Sequence, residues 1–291
     1  MGIVGNDRYR YELIPNWGDL PDGWVLGQTS ILTDSQERVY LYNRSQHPMI
    51  VMDRNGKYIC SWGEGILTDA HGGFIDEDDN LYLPIRDAHI IMKYKSDGQL
   101  LMTIGTRDNP SNTGWSGDYR DMVNQSSDPF NMPTDIGLTP SGHMFVSDGY
   151  GNARIHNFDA AGTFLFSWGE PGKTEPGHFH VPHGIWVHNS NRVFVADREN
   201  NRVQIFNLQG DFISQWTDFA RPCGFFIDNN DVVFVPELDG FISILTIDGD
   251  VITRFAGPTG AGAHAVWVDP HGDLYVGQHL EGQRILKYVR C

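Results

Sequence analysis

The chain repeats a short pattern of apolar and polar positions. In residues 183–198 an apolar stretch leads into a polar His-Asn-Ser-Asn turn, and a second apolar stretch follows. Two apolar strands joined by a tight polar turn are typical of a β-hairpin. The same pattern recurs, with variations, at residues 29–44, 71–86, 134–148, 223–237 and 264–279. We therefore expect six copies of one hairpin-based unit.

Beyond the hairpin, the copies continue into further strand patterns. A third apolar stretch ends in a Gly-containing turn, and a fourth ends at an aromatic residue such as Trp62, Trp168 or Trp216. Four strands repeated about every forty residues are typical of a β-propeller blade. The sequence therefore predicts an all-β, six-bladed β-propeller that forms a single domain over residues 1–291. The first positions of the six copies, called anchors below, are Thr29, His71, Thr134, His183, Cys223 and His264.

Two segments fall outside the repeat. Residues 106–130 are rich in Gly, Asn, Ser and Asp and widen the gap between the second and third copies, so we expect a surface loop inserted over one face. The last copy ends after its third strand. We expect the N-terminal residues 10–17 (RYELIPNW) to supply the missing outer strand, close the ring and remove an open sheet edge.

The charge balance narrows the range of partners. The chain has 21 Lys and Arg against 37 Asp and Glu, a formal net charge of −16. We therefore expect no nucleic acid and no membrane partner, because both need basic patches. No apolar stretch reaches about 18 residues, and the N-terminus lacks the pattern of a signal peptide. These features predict a cytoplasmic protein, and they leave its oligomeric state open.

Three of the six anchors are histidines. His71, His183 and His264 occupy the second, fourth and sixth copies. Alternate blades of a six-bladed ring are about 120° apart, so three imidazoles at one level would form a trigonal ligand set with an open position. We therefore predict a catalytic Zn²⁺ site, with another divalent transition metal as the alternative. The alternative is that these are three unrelated histidines of the core, and it requires that all three fall at anchor positions by chance.

Arginines and a tyrosine follow strands at the same end of the repeat. Arg44 and Arg198 follow second strands at matching positions, as does Arg86. Arginine binds carboxylates through paired hydrogen bonds, so these residues predict a small anionic substrate. Tyr150 stands between glycines after the second strand of the third copy, where its phenol could act as an acid or base. Ordinary ion pairs and a packed aromatic ring are the alternatives.

One stretch of the chain, residues 130–207, carries several distinctive motifs. It includes FNMPTDIGLTPSGHMFVSDGYGNARI, then VPHGIWV and VFVADRENNRVQIF. Together with the anchor histidines, these motifs resemble those of peptidyl-α-hydroxyglycine α-amidating lyase, which is one of the NHL-repeat propellers. The blade pattern extends the resemblance over most of the chain, and DGYGNARI with three anchor histidines is its most specific part. The resemblance implies an NHL-type propeller.

The resemblance also implies a site and a reaction. The three anchor histidines match the zinc ligands of the family, and Tyr150 matches its catalytic tyrosine. Arg198 and Arg44 match its two substrate-binding arginines. The family cleaves the N–C bond of an N-acyl-α-hydroxyglycine carbinolamide and gives an amide and glyoxylate. The resemblance thus implies a zinc-dependent lyase without a redox step.

The chain departs from the family at several positions. Ala70 and Ala263 precede two of the histidines where the family usually has proline. Ala265 replaces an aspartate of the family's structural Ca²⁺ site, which speaks against calcium. Gly262 and Gly151 replace a methionine and a disulfide cysteine. The native substrate therefore stays open, and another small α-hydroxy-acyl compound would fit.

Two other functions remain as alternatives. A metal-dependent hydrolase or lactonase on the same propeller would use a metal-activated water to attack a small substrate that bears a carboxylate. A non-catalytic NHL scaffold would bind a partner on one face, but such a scaffold has no need of three histidines at matching positions. We therefore expect a metal-dependent carbon–nitrogen lyase.

Overall fold

The computed structural model describes residues 2–6, 8–257, 262–280, 282 and 285–291. Within them the regular structure consists of β-strands and one short 3₁₀ helix, without any α-helix. Six sheets of four or five antiparallel strands succeed one another along the chain. The predicted all-β, six-bladed β-propeller is therefore confirmed. Nowhere in the described part of the chain is there a helix with the length and apolar character that crossing a bilayer requires.

The strands are numbered here in chain order. They are β1 (Ile3–Asn6), β2 (Tyr9–Ile14), β3 (Thr29–Thr33), β4 (Val39–Asn43), β5 (Met49–Met52), β6 (Tyr58–Trp62), β7 (Phe74–Ile75), β8 (Leu81–Ile85), β9 (Ile90–Tyr94), β10 (Leu100–Gly105), β11 (Pro133–Leu138), β12 (Met144–Asp148), β13 (Arg154–Phe158), β14 (Phe164–Trp168), β15 (Glu170–Pro171), β16 (His178–Phe179), β17 (Pro182–His188), β18 (Arg192–Asp197), β19 (Arg202–Asn207), β20 (Phe212–Trp216), β21 (Phe226–Ile227), β22 (Val232–Pro236), β23 (Phe241–Thr246), β24 (Val251–Ala256), β25 (Ala263–Val268), β26 (Leu274–Gln278) and β27 (Leu286–Arg290).

Five of the six blades are meanders of four consecutive strands. Blades one to five contain β3–β6, β7–β10, β11–β14, β17–β20 and β21–β24. Blade six has the order β25-β26-β27-β2-β1, so it combines the two ends of the chain. Strands β15 and β16 form a separate parallel pair between blades three and four.

The chain divides into two compact units, of which the first is Met1–Ala70 with Cys223–Cys291. This unit contains blades one, five and six. In blade six, β2 pairs antiparallel with β27 and places Tyr11 opposite Arg290. Tyr11 is fully buried in a core that also contains Phe255. The prediction that the N-terminal segment supplies the missing outer strand is therefore confirmed, and β1 adds a fifth strand beyond it.

The second unit, His71–Pro222, contains blades two to four. Between β10 and β11, residues 106–132 form no strand. This inserted loop is fastened to the segment that follows β12. The Thr113 hydroxyl donates to the carbonyl oxygen of Gly151 at 2.5 Å, and further bonds join Ser127 to Asn152. That the two units form a single domain stays a prediction.

The first hairpin of every blade has the same kind of turn. In blade one the Asp34 carboxylate accepts hydrogen bonds from the backbone N–H groups of Gln36 and Arg38 at 3.0 and 2.8 Å. The side chain thus satisfies backbone groups that the turn leaves without strand partners. The turn also needs one residue with positive φ, which Gly, Asn and Asp adopt most readily. In the six blades this residue is Glu37, Asp79, Gly142, Asn191, Asp231 and Gly272.

Candidate active site

Three of the predicted site residues come together in the unit that contains blades two to four. His183 is the second residue of β17, Tyr150 lies two residues after β12, and His71 lies three residues before β7. All three side chains are buried. His71 therefore precedes the first strand of its blade instead of beginning it. The backbone beside it contacts blade three, because the Gly72 N–H donates to the Thr134 carbonyl at 2.8 Å.

The two glycines beside Tyr150 let its turn lie against neighbouring backbone. A Cβ on Gly149 would lie 2.2 Å from the Pro182 carbonyl oxygen, and one on Gly151 would lie 2.2 Å from Asn131 Oδ1. Both distances are far shorter than van der Waals contact, so a larger residue would push the turn out of place. The Gly-Tyr-Gly sequence therefore determines where the Tyr150 phenol lies.

The hydrogen-bond partners of His71 determine which ring nitrogen carries the proton. Nδ1 lies 2.7 Å from the Thr134 carbonyl oxygen, which can only accept. Nδ1 therefore donates, and in the neutral ring Nε2 presents its lone pair toward the Tyr150 hydroxyl at 3.2 Å. Metal-binding histidines are commonly oriented by a backbone carbonyl in this way.

The Tyr150 hydroxyl lies among two imidazoles and a guanidinium. Its oxygen is 3.2 Å from His71 Nε2 and 3.3 Å from His183 Nε2, and it accepts a hydrogen bond from Arg198 Nη1 at 3.0 Å. Guanidinium only donates, so the proton of Tyr150 is left to point at an imidazole. His71 Nε2 is an acceptor and can take it. The hydroxyl is thus both donor and acceptor in this network.

Two guanidinium groups lie against the Tyr150 ring. Arg86 Cζ is 4.6 Å from the ring centroid and Arg198 Cζ is 5.1 Å from it, distances at which a cation is attracted to an aromatic ring. Arg198 is only 3% exposed, and its Nε also donates to Glu199 Oε1 at 2.8 Å. Arg198 therefore lies beside Tyr150 and also has the ion pair that was the alternative interpretation.

Arg44 and His264 belong to the other unit, where each of them contacts Gln28. Arg44 Nη1 donates to Gln28 Oε1 at 2.9 Å, and the Gln28 amide nitrogen contacts His264 Nε2. Arg44 Nε also pairs with Asp69 Oδ1 at 2.7 Å. His264 is the second residue of β25 and is buried. Gln28 was missed by sequence reasoning, although its place directly before the anchor Thr29 is a signal for it.

Each of the three anchor histidines is buried and offers one ring nitrogen as a possible metal ligand. Within the unit of blades two to four, the ring centroids of His71 and His183 are 4.5 Å apart. Imidazole nitrogens are common ligands of Zn²⁺. His71, His183 and His264 could therefore hold a metal ion. Three imidazoles suit Zn²⁺ and also other divalent transition metals.

A carboxyl group links the segments that carry two of these histidines. Asp135 accepts hydrogen bonds from the N–H groups of Gly73 at 3.0 Å and Ile185 at 3.2 Å, each two residues after a histidine. Burial raises the pKa of Asp135 to about 7, against the effect of its backbone hydrogen bonds. Sequence reasoning missed Asp135 as well, although it follows the anchor Thr134 directly.

The inserted loop contributes Tyr119 to the same surroundings. Its ring centroid lies 5.8 Å from that of Tyr150 and 5.0 Å from Arg198 Cζ. The sequence of the loop gives no signal for Tyr119. Its partners Tyr150 and Arg198 are distant in sequence, and only the fold brings them near it.

These features are found together with clear similarity to known proteins. The NHL repeat family matches residues 179–206. The chain is 29% identical over 196 residues, 62% of its length, to peptidyl-glycine alpha-amidating monooxygenase B of Xenopus laevis and covers 21% of that protein. It is 31% identical over 160 residues, 54% of its length, to a probable peptidyl-alpha-hydroxyglycine alpha-amidating lyase of Caenorhabditis elegans and covers 42% of it. The resemblance expected from the motifs is thus confirmed.

The fold has solved counterparts. A streptogramin B lyase structure superposes with a TM-score of 0.67 over 97% of this chain and 99% of that chain, at 15% sequence identity. This likeness shows the propeller fold alone. The chain spans less than half the length of the two amidating relatives. The chain is therefore a six-bladed β-propeller that contains one NHL-repeat match, is similar to proteins named as enzymes and has a candidate metal centre.

Proposed function

We propose that this protein is a metal-dependent lyase that cleaves the N–C bond of an N-acyl-α-hydroxyglycine-like carbinolamide and releases an amide and glyoxylate. The observation that carries the proposal is the Tyr150 hydroxyl, which lies within 3.3 Å of two histidine nitrogens and one guanidinium nitrogen. A candidate acid–base group, two candidate ligands and a candidate carboxylate-binding group thus meet at one point. The relatives named as amidating lyases support the same chemistry.

The histidine group supports a role for a metal. An ion held by His71, His183 and His264 would supply Lewis acidity, which makes a substrate hydroxyl easier to deprotonate. The Thr134 carbonyl keeps the Nε2 lone pair of His71 directed toward Tyr150, so this ligand needs no change of tautomer to bind an ion. Three imidazole donors favour zinc as the ion.

Tyr150 supports the proton transfer. Deprotonated Tyr150 would take the proton of the substrate hydroxyl, and that C–O bond would become the carbonyl of glyoxylate. The N–C bond breaks, and the nitrogen keeps the electron pair and takes up one proton. The substrate thus loses one proton from its hydroxyl oxygen and gains one at the leaving nitrogen, and the reaction needs no electron acceptor. The hydrogen bond from Arg198 at 3.0 Å would stabilise negative charge on the Tyr150 oxygen during this transfer.

The arginines support recognition of the substrate carboxylate. Arg198 and Arg86 lie on the Tyr150 ring in one unit, and Arg44 lies beside Gln28 in the other. Arg198 and Arg44 each have an acidic partner already. A guanidinium has five N–H donors, so it can hold that partner and a substrate carboxylate at once. In a chain of net charge −16, these groups provide local positive charge for a small anion.

Metal analysis of the purified protein is the first test. We expect about one transition-metal ion per chain in the wild type and a loss of most of it in His183→Ala, because three ligands are needed for tight binding. His188→Ala is the matched control, since His188 lies on the same strand β17 and outside the histidine group. Equal metal content in wild type and His183→Ala would overturn the proposal.

Substrate turnover is the second test. The metal-loaded protein is expected to release glyoxylate from N-benzoyl-α-hydroxyglycine, measured with lactate dehydrogenase and NADH after separation of the protein. A panel of lactones is assayed in parallel. Lactone hydrolysis without glyoxylate release, from protein that binds metal normally, would replace the lyase with a hydrolase.

A further inference from the structure

Tyr119 lies where the inserted loop meets Arg198. The Arg198 guanidinium is 5.0 Å from the Tyr119 ring centroid and 5.1 Å from that of Tyr150, so it contacts two aromatic rings. The two rings are nearly perpendicular, at 88°. Tyr119 is 37% exposed whereas Arg198 is 3% exposed. Tyr119 is therefore the outer ring, and it separates the guanidinium from solvent.

The loop is held firmly enough to keep Tyr119 in this position. Val123 belongs to the same buried core as Phe179, and Trp115 packs against that core from the side. Packing at Trp115 and Val123, on both sides of Tyr119 in the sequence, therefore restricts the loop tip.

We propose that Tyr119 is a positioning residue that holds the Arg198 guanidinium against Tyr150 and thereby sets the affinity for the carboxylate of the substrate. The proposal rests on the proposed lyase function. A long arginine side chain has many rotamers, and two rings, the Tyr150 oxygen and Glu199 together select one of them. The covering ring also excludes water, which strengthens the charge interactions beneath it.

Kinetic variants test the positioning role. Tyr119→Ala is expected to raise KM about tenfold and to change kcat less than about threefold, because a cation–π contact is lost but the reacting groups remain. Tyr119→Phe keeps the ring and should stay within about twofold of wild type in both constants. Asp118→Asn, on the neighbouring residue of the same loop, is the matched control and should behave as wild type. Unchanged KM in Tyr119→Ala, or equal losses in Tyr119→Ala and Tyr119→Phe, would overturn the inference.

Limited proteolysis tests the same contact without any turnover. Trypsin cleaves after Arg120, whose side chain is 75% exposed at the loop tip. We expect cleavage there to be about ten times faster in Tyr119→Ala and in Arg198→Gln than in wild type, and unchanged in Tyr119→Phe, because either loss removes the same contact. The double variant should be cleaved no faster than the single ones.

The two measurements separate the two proposals. If wild type releases no glyoxylate, the lyase function fails, and the proteolysis rates still decide whether Tyr119 is anchored on Arg198. If wild type turns over and Tyr119→Ala shows wild-type KM and wild-type cleavage, the positioning role fails and the lyase function stands.

Discussion

Two buried histidine environments in blades two to four differ in what surrounds the ring. His71 donates from Nδ1 to a carbonyl and presents an Nε2 lone pair to Tyr150. His156, on β13, has Nδ1 3.2 Å from Asp128 Oδ1 and Nε2 3.2 Å from Asp148 Oδ2. The first ring keeps a nitrogen available for a ligand or a proton. The second faces a carboxylate on each side.

The difference appears in the protonation of His156. Burial lowers its pKa, but its contacts with Asp128 and Asp148 outweigh burial and raise the pKa above the ordinary histidine value. In return, His156 lowers the pKa of Asp128 to about 2. A protonated imidazole has no lone pair and cannot bind a metal. The neighbours of a buried histidine, more than its burial, therefore separate a structural ion pair from a candidate ligand.

The largest effect on activity is expected when Tyr150, the partner of His71, is replaced. Tyr150→Phe should lower kcat by about 100-fold to 10,000-fold, because it removes the acid–base group. Metal content should stay at the wild-type level, because the phenylalanine ring keeps the packing around His71 and His183. Glyoxylate release and metal analysis on the same sample check both points. Full turnover in Tyr150→Phe would remove Tyr150 from the mechanism.

The next effect should fall on stability alone. His156→Ala should lower the free energy of unfolding by about 3 kcal/mol, because it leaves the buried Asp148 carboxylate without its cationic partner. Urea denaturation followed by tryptophan fluorescence measures it, with His143→Ala on the same blade as a control expected to cost less than about 0.5 kcal/mol. Metal content of the folded variant should be unchanged. Loss of metal in His156→Ala would show that the two environments are not separate.

The pH dependence of stability should distinguish the ion pair further. The raised pKa of His156 means that its contribution is complete below about pH 6.5 and is lost as the pH rises through the folded value. The lowered pKa of Asp128 means that its contribution is present above about pH 4 and is lost toward pH 2. The difference in the free energy of unfolding between wild type and His156→Ala should therefore be largest between about pH 4 and 6.5. If urea denaturation gave the same difference in the free energy of unfolding at about pH 5 and 9, His156 would not form the proposed ion pair.

The smallest effect is expected from Arg86. Its guanidinium lies on the Tyr150 ring, but the side chain is only half-buried. Arg86→Gln should raise KM about threefold with little change in kcat, since a partly exposed cation–π contact contributes little. Steady-state kinetics over a range of substrate concentrations check this. A kcat loss as large as that of Tyr150→Phe would give Arg86 a direct part in the reaction.

The fold could be predicted because each blade has the same local rule. A polar turn with one residue of positive φ separates two apolar strands, and Asp34 and Gly142 show two versions of it. The outer strand from the N-terminus could be predicted because the last copy lacks one. The short first strand of blade two could not, because the backbone after His71 pairs with Thr134 in the next blade and not with its own hairpin.

Site residues could be predicted where they occupy a defined position of the repeat, and the others could not. His71, His183 and Tyr150 were found from their places at anchors and strand ends, and the structure brings them together. Gln28 and Asp135 lie one residue from an anchor and act through hydrogen bonds that no residue pattern shows. The roles assigned to all of these residues stay predictions.

The pairing of β2 with β27 has a consequence for the order in which the protein can fold during synthesis. Strand β2 is synthesised long before its partner β27. Until then the nascent chain carries an unpaired strand with two buried tyrosines, Tyr9 and Tyr11, exposed to other chains. Closure of blade six is a contact between distant parts of the sequence and should be slow. Blade six therefore cannot be completed until β27 has been made, so β2 must wait for a partner that lies more than 270 residues further along the chain.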